Sequence, residues 1–509
     1  MRLKFNDWYL IGALIAIGFF LRIYLLSYQS FWIDEVFSVN AAKGILEHGY
    51  PLLDSGIVYG RDILNTYLMS FFMLIFGDGH FGARLISVVF GTLMIPLMYY
   101  FGREFGNRKI GFISALFVAF SVWEIAWSRQ ARMYQQLQFF YFLSLILFYK
   151  FMKEPNTKYF FLTAIFTILA ILSHSLGYSL FIVYFLYFVF IAIKELRKSK
   201  DMAINFITSL KYFCKSHKVV FSFASLAIIL GLAFIIYRAL GSIFSFSDVE
   251  FDYLNQYTYY LKNVHFLFYY FAVVGAVLAF RNFKIGLLLA ISYLVPFLIV
   301  SKLIWLLHYR YIYFILPLLF LLASYAILYL AEFGKYAGKY NKIASGAIIL
   351  VIGVAVFSHD FVFIPKKEYK LEFSTPQPNF AKAYRFVKAN MAPHDFIISG
   401  FPAVDKYYLG KADYWLEFSL SGRKTDLAKY KITGTNNEVY ANATIINNLD
   451  SFKNITSSGK GWIILDKLAA RRVNSNITKF IASNLTYYPE ASEDKDVWSG
   501  IKVYGWDSK

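Results

Sequence analysis

The first 363 residues consist mainly of long apolar runs separated by short polar segments. A helix needs about 20 mainly apolar residues to cross a bilayer, and this criterion predicts eleven membrane-spanning helices. The predicted spans are 8–28, 81–101, 110–127, 134–151, 158–174, 177–194, 219–237, 264–280, 285–301, 309–331 and 343–363. The run 64–76 is also apolar but shorter, which favours an interfacial or re-entrant helix.

Lysine and arginine are distributed unequally between the two sets of connecting loops. With the N-terminus in the cytoplasm, the inner segments hold 17 of these residues and the outer connections hold 7. Cytoplasmic loops of membrane proteins carry such an excess. The sequence therefore predicts an integral, multi-pass protein of the cell membrane with a cytoplasmic N-terminus. The first run, 8–28, is too long for a signal-peptide core and is expected to be a retained anchor.

The segment 364–509 differs from the rest because charged residues become frequent and long apolar runs stop. Its pattern alternates between the periods of strands and helices, which predicts a small α/β domain. Strands are predicted at 395–399, 462–465 and 501–504, and helices at 381–391 and 469–485. An odd number of spans places this domain outside the cytoplasm. The Asn-x-Ser/Thr sequons agree with that location, because all of them lie here, at Asn442, Asn454, Asn476 and Asn484.

Composition narrows the class of protein. Of the 509 residues, 58% are hydrophobic, 21% aromatic and 16% charged. A soluble core cannot bury that much apolar surface, which excludes a soluble enzyme, a disordered chain and a coiled coil. The net charge of +19 is explained by basic cytoplasmic loops, so no nucleic-acid partner is expected. Cys214 is the single cysteine of the sequence, which excludes an internal disulfide and a cysteine-built metal site.

Two adjacent carboxylates, Asp34 and Glu35, stand near the start of the longest connection between predicted spans, the outer loop 29–80. A carboxylate in a partly dry cavity at the membrane boundary can act as a general base. The alternative is an ordinary helix start, with Asp34 as the N-cap of a helix through Ala41 and Glu35 favourable to its dipole. The two roles are compatible, and the pattern leaves both open.

Charged residues in the outer loops suggest further site candidates. Arg61 and Asp62 precede the short run 64–76, where Asp62 is either a functional carboxylate or the cap of that helix. Arg129 and Arg132 stand three residues apart in the next outer loop, against the positive-inside bias. Guanidinium groups suit bidentate phosphate binding, and the alternative is snorkelling to lipid headgroups.

Polar residues at the ends of later spans complete the candidates. His174 ends the fifth predicted span, either as a hydrogen-bonded interfacial histidine or as a catalytic or metal-binding residue. Arg310 approaches the tenth span from outside and is a phosphate-binding candidate for the same reason as Arg129. Ionisable residues in or at the ends of apolar spans are functional suspects. They are Arg22, Arg84 and Glu124.

Several of these motifs occur together in a known order. The Asp34-Glu35 pair follows the first span, and Phe-Gly-Asp-Gly-His-Phe-Gly-Ala-Arg-Leu (76–85) enters the second. Ser-Arg-x-Ala-Arg-x-Tyr (128–134) follows the third span, and Arg310-Tyr311 with Pro317 opens a late one. Over about 1–330 this arrangement resembles the C-type (GT-C) membrane glycosyltransferases. Within them it is similar to the superfamily of dolichyl-phosphate-mannose protein mannosyltransferases and lipid A aminoarabinose transferases.

The resemblance implies an enzyme that transfers a hexosyl or pentosyl group from a polyprenyl-phosphate carrier to a protein, lipid or glycan acceptor on the outer face. It implies Asp34, beside Glu35, as the catalytic carboxylate. A divalent metal ion, present in some members, would use Asp62 and His174. Here Tyr59-Gly-Arg61-Asp62 replaces the Glu-Lys-Pro pattern of aminoarabinose enzymes, which argues against both the metal and that sugar.

A single displacement at the anomeric carbon needs a base for the acceptor and positive charge around the leaving lipid phosphate. Asp34 is the expected base. The expected phosphate ligands are Arg61, Arg129, Arg132 and Arg310, with Tyr134, His174, His308 and Tyr311 as further site candidates. The main alternative is a lipid-linked glycan flippase, although transporters more often show repeat symmetry and midplane sites. A non-catalytic scaffold would leave the outer arginines unexplained.

Overall fold

The computed structural model describes residues 5–196, 252–304, 306–332, 361–369, 378–419, 424–493 and 500–507, together with single positions between 336 and 353. The predicted span 219–237 and most of 343–363 lie outside the described residues. Contacts divide the chain into two compact units. The membrane unit comprises Met1–Tyr24, Ser87–Arg129 and Met133–Lys366, and the sheet unit comprises Leu25–Ile86, Gln130–Arg132 and Lys367–Lys509.

Helices in the described parts of the first 332 residues follow the apolar runs. They are α1 (Phe5–Ile23), α2 (Ile33–His48), α3 (Ile63–Phe76), α4 (His80–Phe105), α5 (Arg108–Phe120), α6 (Val122–Ser128), α7 (Tyr134–Lys153), α8 (Thr157–Ser173), α9 (Ser179–Leu196), α10 (Leu254–Val264), α11 (Phe266–Ala279), α12 (Phe283–Leu303) and α13 (Leu316–Glu332). Asparagine side chains cap several starts; that of Asn107 accepts from the backbone N–H groups of Lys109 and Ile110.

Among the described residues, four helical segments are long and apolar enough to cross a membrane: His80–Phe105, Ser175–Lys194, Phe283–Leu303 and Tyr313–Glu332. A fifth span results if α10 and α11, which are bent by 107° at His265, count as one. The predicted total of eleven spans stays a prediction.

The predicted span 110–127 is not one continuous helix. Ser121 leaves the helical conformation, and its side chain accepts a hydrogen bond from the N–H of Glu124 at the start of α6. Ser121 also pairs with Phe361 in an isolated β-bridge. A serine that can cap a new helix therefore interrupts a run whose composition alone predicts continuity.

Aromatic and small side chains together allow close packing within the membrane unit. Phe117 and Phe320 both pack against Phe268 of α11, with ring centroids 4.9 and 4.8 Å away. A Cβ at Gly275 would overlap the carbonyl of Leu322, so glycine is required for α11 to approach α13. Such small residues permit close helix contact where water contributes no driving force.

The sheet unit contains a sheet with strand order β3-β2-β1-β4-β6-β5 in the part of the chain that the structure describes. The strands are β1 (Phe396–Ser399), β2 (Tyr414–Leu416), β3 (Thr444–Ile446), β4 (Gly461–Asp466), β5 (Thr486–Tyr487) and β6 (Ile501–Trp506). The first four are parallel, and β6 pairs antiparallel with β4 and β5. The helices are α14 (Phe380–Asn390), α15 (Pro402–Leu409), α16 (Leu449–Ser458), α17 (Lys467–Arg472) and α18 (Ser475–Asn484). The predicted helix 469–485 is thus divided, with Val473 and Asn474 at the break.

The loop 29–80 packs with the C-terminal residues in the sheet unit, whereas the sequence-based division at 363/364 kept this loop with the membrane spans. Asn40 of α2 donates to the carbonyl of Ala403 at 3.0 Å. Lys406 forms an ion pair with Asp54 at 3.0 Å. The loop that carries the candidate carboxylates is therefore held by helix α15 of the C-terminal segment.

Candidate functional site

The start of α2 assigns different environments to Asp34 and Glu35. The helix begins at Ile33 with Trp32 as its N-cap, so Asp34 is the second helical residue and does not cap. Glu35 accepts a hydrogen bond from the backbone N–H of Trp32 at 3.2 Å. The alternative of Asp34 as the N-cap is therefore wrong, whereas Glu35 stabilises the helix start as that alternative expected.

Glu35 is completely buried in a bidentate ion pair with Arg84. Nε and Nη2 of Arg84 each donate at 2.8 Å to the carboxylate, which also accepts the backbone N–H of Ala131 at 2.7 Å. Arg84 additionally donates to the carbonyls of Leu26, Gln29 and Ser30. Glu35 therefore holds the loop together, and its burial and pairing favour this structural role over the expected share in catalysis.

Arg132 connects the segment 130–132 to the loop 29–80 within the sheet unit. It donates to the carbonyl of Asp34 at 2.9 Å and to Oγ of Ser38 at 2.5 Å. Its guanidinium also lies 3.6 Å from the carboxylate of Asp62. These contacts and its burial make Arg132 a residue that positions both carboxylates.

Asp62 adopts the left-handed conformation, with φ of 52° and ψ of 43°, and its side chain makes no capping hydrogen bond to α3. Non-glycine residues in this region are uncommon and tend to occur at functional sites. Burial raises the pKa of Asp62 to about 6; Arg132 and Arg61 lower it, and the charge of Asp34 raises it. The geometry therefore rejects the simple capping role and places Asp62 in an electrostatic group with Asp34.

We call Asp34, Tyr59, Arg61, Asp62 and Arg132 the loop cluster. Tyr59 is buried, which raises the pKa of its phenol, and Arg132 donates a hydrogen bond to it. Burial lowers the pKa of Arg61, but neighbouring tyrosines, Asp62 and Asp34 outweigh this and raise it above its usual value. The cluster thus combines a half-buried carboxylate, Asp34, with two fixed positive charges.

Replacing Asp62 by asparagine tests the raised pKa of its carboxyl group. Because the pKa of Asp62 is about 6 in the folded protein and 3.8 in a model peptide, the folded state keeps a proton that the unfolded chain releases. The wild-type free energy of unfolding therefore falls between about pH 4 and pH 6, by about 3 kcal/mol from this group. Asp62→Asn cannot titrate, so its stability relative to wild type should rise across that window, measured by chemical unfolding in detergent.

Asp54→Asn is the matched control, because Asp54 lies in the same loop in a partly exposed ion pair. The free energy of unfolding of Asp54→Asn relative to that of wild type should not rise between about pH 4 and pH 6. If the free energies of unfolding of Asp62→Asn and wild type differed by a constant amount from pH 4 to pH 7, the raised pKa of Asp62 would be contradicted.

A second group of candidates comes together within the membrane unit. The rings of Tyr134 and His174 lie 5.8 Å apart, and those of His174 and Tyr311 6.2 Å apart. His308 lies 5.6 Å from Tyr311, and the guanidinium of Arg310 lies 5.7 Å from the same ring. We call these five residues the Arg310 cluster. One guanidinium among aromatic rings is an arrangement that can bind an anionic headgroup.

Arg129 has a different environment from Arg310. It is buried, and its Nη1 donates to the carbonyls of Arg22 at 2.9 Å and Tyr24 at 2.6 Å, at the end of α1. Cations at helix C-termini satisfy terminal carbonyls and favour the helix dipole. These bonds favour a structural role for Arg129 over the predicted phosphate role.

A buried polar network inside the membrane unit was only partly anticipated from sequence. Glu124 accepts from Tyr313 at 2.7 Å and from Gln138 at 3.0 Å, and Gln135 bonds to Tyr313. Arg22 donates to Ser128 at 3.1 Å and to carbonyls of α5. Glutamines inside the apolar run 134–151 were the signal that could have identified this network.

The metal site implied by the family resemblance does not fit the residues present. Among the described residues, no group of three or more histidines, cysteines and carboxylates is arranged to hold a metal ion. The neighbours of Asp62 are guanidinium groups, which oppose cation binding. Nδ1 of His174 accepts the N–H of Leu176 at 3.1 Å, so this nitrogen is already engaged within the chain.

Comparison with known proteins adds a family match over part of the chain. Residues 62–214 match the family model described as dolichyl-phosphate-mannose-protein mannosyltransferase. An uncharacterized protein of Aquifex aeolicus (strain VF5) is 29% identical over 192 residues. The aligned part covers 36% of this chain and 38% of that protein, so it spans well under half of either.

Solved structures show the same fold along nearly the whole chain. ArnT from Cupriavidus metallidurans, bound to undecaprenyl phosphate, matches with a TM-score of 0.61 and 12% identity, covering 99% of this chain and 98% of ArnT. The archaeal oligosaccharyltransferase AglB from Archaeoglobus fulgidus, with an inhibitory peptide and a dolichol-phosphate, matches with a TM-score of 0.56 and 11% identity, covering 99% and 74%. The predicted resemblance is confirmed: this is an integral membrane protein with a GT-C-like fold.

Proposed function

We propose that this protein is a glycosyltransferase that moves a hexosyl or pentosyl group from a polyprenyl-phosphate carrier to an acceptor on the outer membrane face. The observation that carries the proposal is the fold match over 99% of the chain to a protein crystallised with undecaprenyl phosphate. The partial family match points to the same donor class. The proposed topology keeps eleven spans, a cytoplasmic N-terminus and an extracytoplasmic C-terminal segment, supported by the distribution of lysine and arginine.

The proposed reaction is a single displacement with inversion at the anomeric carbon. Asp34 takes the proton of an acceptor hydroxyl as its oxygen forms the new bond to the sugar. The bond from the sugar to the lipid phosphate breaks, and the phosphate leaves as a stable anion. A general acid is therefore less necessary than in glycoside hydrolysis.

The contrast between neighbouring residues supports these assignments. Asp34 is half-buried, whereas Glu35 is fully buried and paired with Arg84, so Asp34 is the more exposed carboxylate of the two. Arg132 holds the backbone of Asp34, and a positioned base contributes about 10²–10⁴-fold to the rate. Arg310 is the proposed ligand of the donor phosphate, because it is partly exposed and its guanidinium lies beside the ring of Tyr311.

The direct test uses the purified full chain in nanodiscs with radiolabelled polyprenyl-phosphate mannose, glucose, galactose and 4-aminoarabinose. Consumption of one donor, with label appearing in an added glycan, protein or lipid fraction, is the expected result. Movement of intact donor across a vesicle membrane without sugar transfer would support a flippase instead. The absence of both activities with every donor would contradict the proposal.

Arg310→Ala and Arg129→Ala are expected to have different consequences. Loss of Arg310 should raise the KM for donor about 10- to 100-fold, the equivalent of one hydrogen bond to a charged group, with little change in Tm. Loss of Arg129 should lower the Tm, because two carbonyls at the end of α1 lose their donor.

Lys302→Ala is the matched control for a cation of the membrane unit, since Lys302 forms a partly exposed ion pair with Asp252. It should leave both donor KM and Tm close to wild type. Unchanged donor kinetics in Arg310→Ala would reject the assignment of Arg310.

A further inference from the structure

Helix α10 of the membrane unit has a buried face formed by tyrosines. Tyr257 and Tyr260 stand three residues apart and therefore share one side of the helix. Tyr257 is completely buried and Tyr260 nearly so, whereas Tyr259 between them is 70% exposed. The buried hydroxyl of Tyr257 needs a hydrogen-bond partner in the neighbouring chain, because a buried polar group without one is unfavourable.

The partner of Tyr257 is the backbone of His308. The hydroxyl accepts the N–H of His308 at 3.2 Å and donates to its carbonyl at 3.1 Å. His308 is extended, with φ of −139° and ψ of 120°. The N–H and C=O of an extended residue point to the same side, so one hydroxyl can bridge both. The two bonds hold His308 in this conformation.

His308 opens the turn that contains Arg310. Its carbonyl also accepts the N–H of Tyr311 at 3.0 Å, which closes a turn over 308–311 that we call the Arg310 turn. The ring of Tyr260 stacks on Tyr309 in this turn, with centroids 3.5 Å apart and planes inclined by 10°. Helix α10 therefore contacts both the backbone and a ring of the Arg310 turn.

Buried hydrogen bonds also hold the chain just after the turn and the start of α10. The hydroxyl of Tyr313, two residues beyond the turn, donates to the buried carboxylate of Glu124 at 2.7 Å. The N–H of Tyr253 donates to the carbonyl of Ser301 at 2.9 Å, which attaches α10 to α12. The segment that carries Arg310 is therefore fixed on both sides of this residue.

We propose that Tyr257 is a positioning residue for the donor phosphate and acts through Arg310. The inference rests on the proposed function, since it assigns what holds the proposed phosphate ligand in place. A binding group is effective when packing and hydrogen bonds around it fix its geometry. Without the two bonds from Tyr257, the Arg310 turn becomes less ordered, and donor binding must supply the cost of ordering it.

Tyr257→Phe tests the proposal, because it removes the hydroxyl and keeps the ring. The measurement uses the full chain in nanodiscs and the labelled polyprenyl-phosphate sugar that wild type consumes. The donor KM should rise about tenfold, the equivalent of one hydrogen bond, while kcat stays within about twofold of wild type. A residue that only supports the fold would change the Tm or the amount of active protein and leave the donor KM unchanged.

A double-mutant cycle with Arg310→Ala identifies the route of the effect. In that background, Tyr257→Phe should change the donor KM by less than about twofold, because the turn no longer carries a guanidinium to position. The same tenfold rise in both backgrounds would overturn the proposal.

Two matched controls make the same chemical change elsewhere in the membrane unit. Tyr259→Phe removes an exposed hydroxyl of α10. Tyr325→Phe removes a hydrogen bond from a tyrosine of α13 to the carbonyl of Phe105 at the end of α4. Both should keep the wild-type donor KM, although Tyr325→Phe should lower the Tm. A rise in KM in either control that equals that of Tyr257→Phe would also overturn the proposal.

The outcomes separate this inference from the proposed function. If wild type transfers sugar and Arg310→Ala raises the donor KM, an unchanged KM in Tyr257→Phe refutes the positioning role alone. Unchanged donor kinetics in Arg310→Ala refute the positioning role together with the assignment of Arg310, while sugar transfer stands. Absence of turnover with every donor refutes the proposed function and this inference with it.

Discussion

Asp34→Asn is expected to reduce sugar transfer about 10²–10⁴-fold, the usual contribution of a positioned general base. The substitution removes the basic carboxylate but preserves size and backbone. Arg132 and Ser38 bond to the carbonyl oxygen of Asp34, so the asparagine retains these two contacts. The measurement is kcat with saturating donor and acceptor in nanodiscs, together with the Tm, which should stay close to wild type.

Asp54→Asn is the control for this experiment, because it makes the same chemical change in the same loop at a surface ion pair. Its kcat should equal that of wild type. Turnover near wild type in Asp34→Asn would remove Asp34 from the base role. A large fall in Tm would show instead that the carboxylate supports the fold.

Glu35→Ala is expected to lower the free energy of unfolding by about 3–5 kcal/mol, the cost of leaving one member of a buried ion pair without its partner. Arg84 would retain its carbonyl contacts but lose a bidentate carboxylate, and the N–H of Ala131 would lose its acceptor. Both side chains are at most 2% exposed, so water cannot compensate. Chemical unfolding in detergent measures this difference.

Lys43→Ala provides the comparison, because Lys43 pairs with Asp78 at 2.6 Å in a more exposed position of the same unit. Exposed pairs contribute about 0–1 kcal/mol, so this variant should unfold almost like wild type. A Glu35→Ala protein with wild-type stability and no transfer activity would contradict the structural role and return Glu35 to the catalytic candidates.

The adjacent pair Asp34 and Glu35 shows how far sequence reasoning reaches. Their position after the first apolar run was sufficient to select both as candidates. It could not separate them, because the distinction depends on Arg84, which lies 49 residues further along the chain. Similarly, Arg129 and Arg132 are arginines of one loop, yet they contact different helices. Arg129 donates to the end of α1, and Arg132 donates to α2.

The membrane helices also include features that the sequence predicted and features that it did not. Apolar runs predicted helices such as α4 and α12 because length and composition are local properties. The break at Ser121 was not predicted, since it depends on a capping choice within an apolar run. The 107° bend at His265 was not predicted either, because α10 before it lies in a polar segment outside the predicted span 264–280.

The sequence by itself determined that the chain enters a membrane, where its candidate carboxylates and arginines stand, and which superfamily it resembles. These properties follow from local composition and from the order of motifs. The tertiary structure decided that Glu35 is fully buried and paired with Arg84, and that loop 29–80 packs with the C-terminal sheet. Burial and ion pairing depend on residues far apart in the chain, and no local pattern specifies which of them meet.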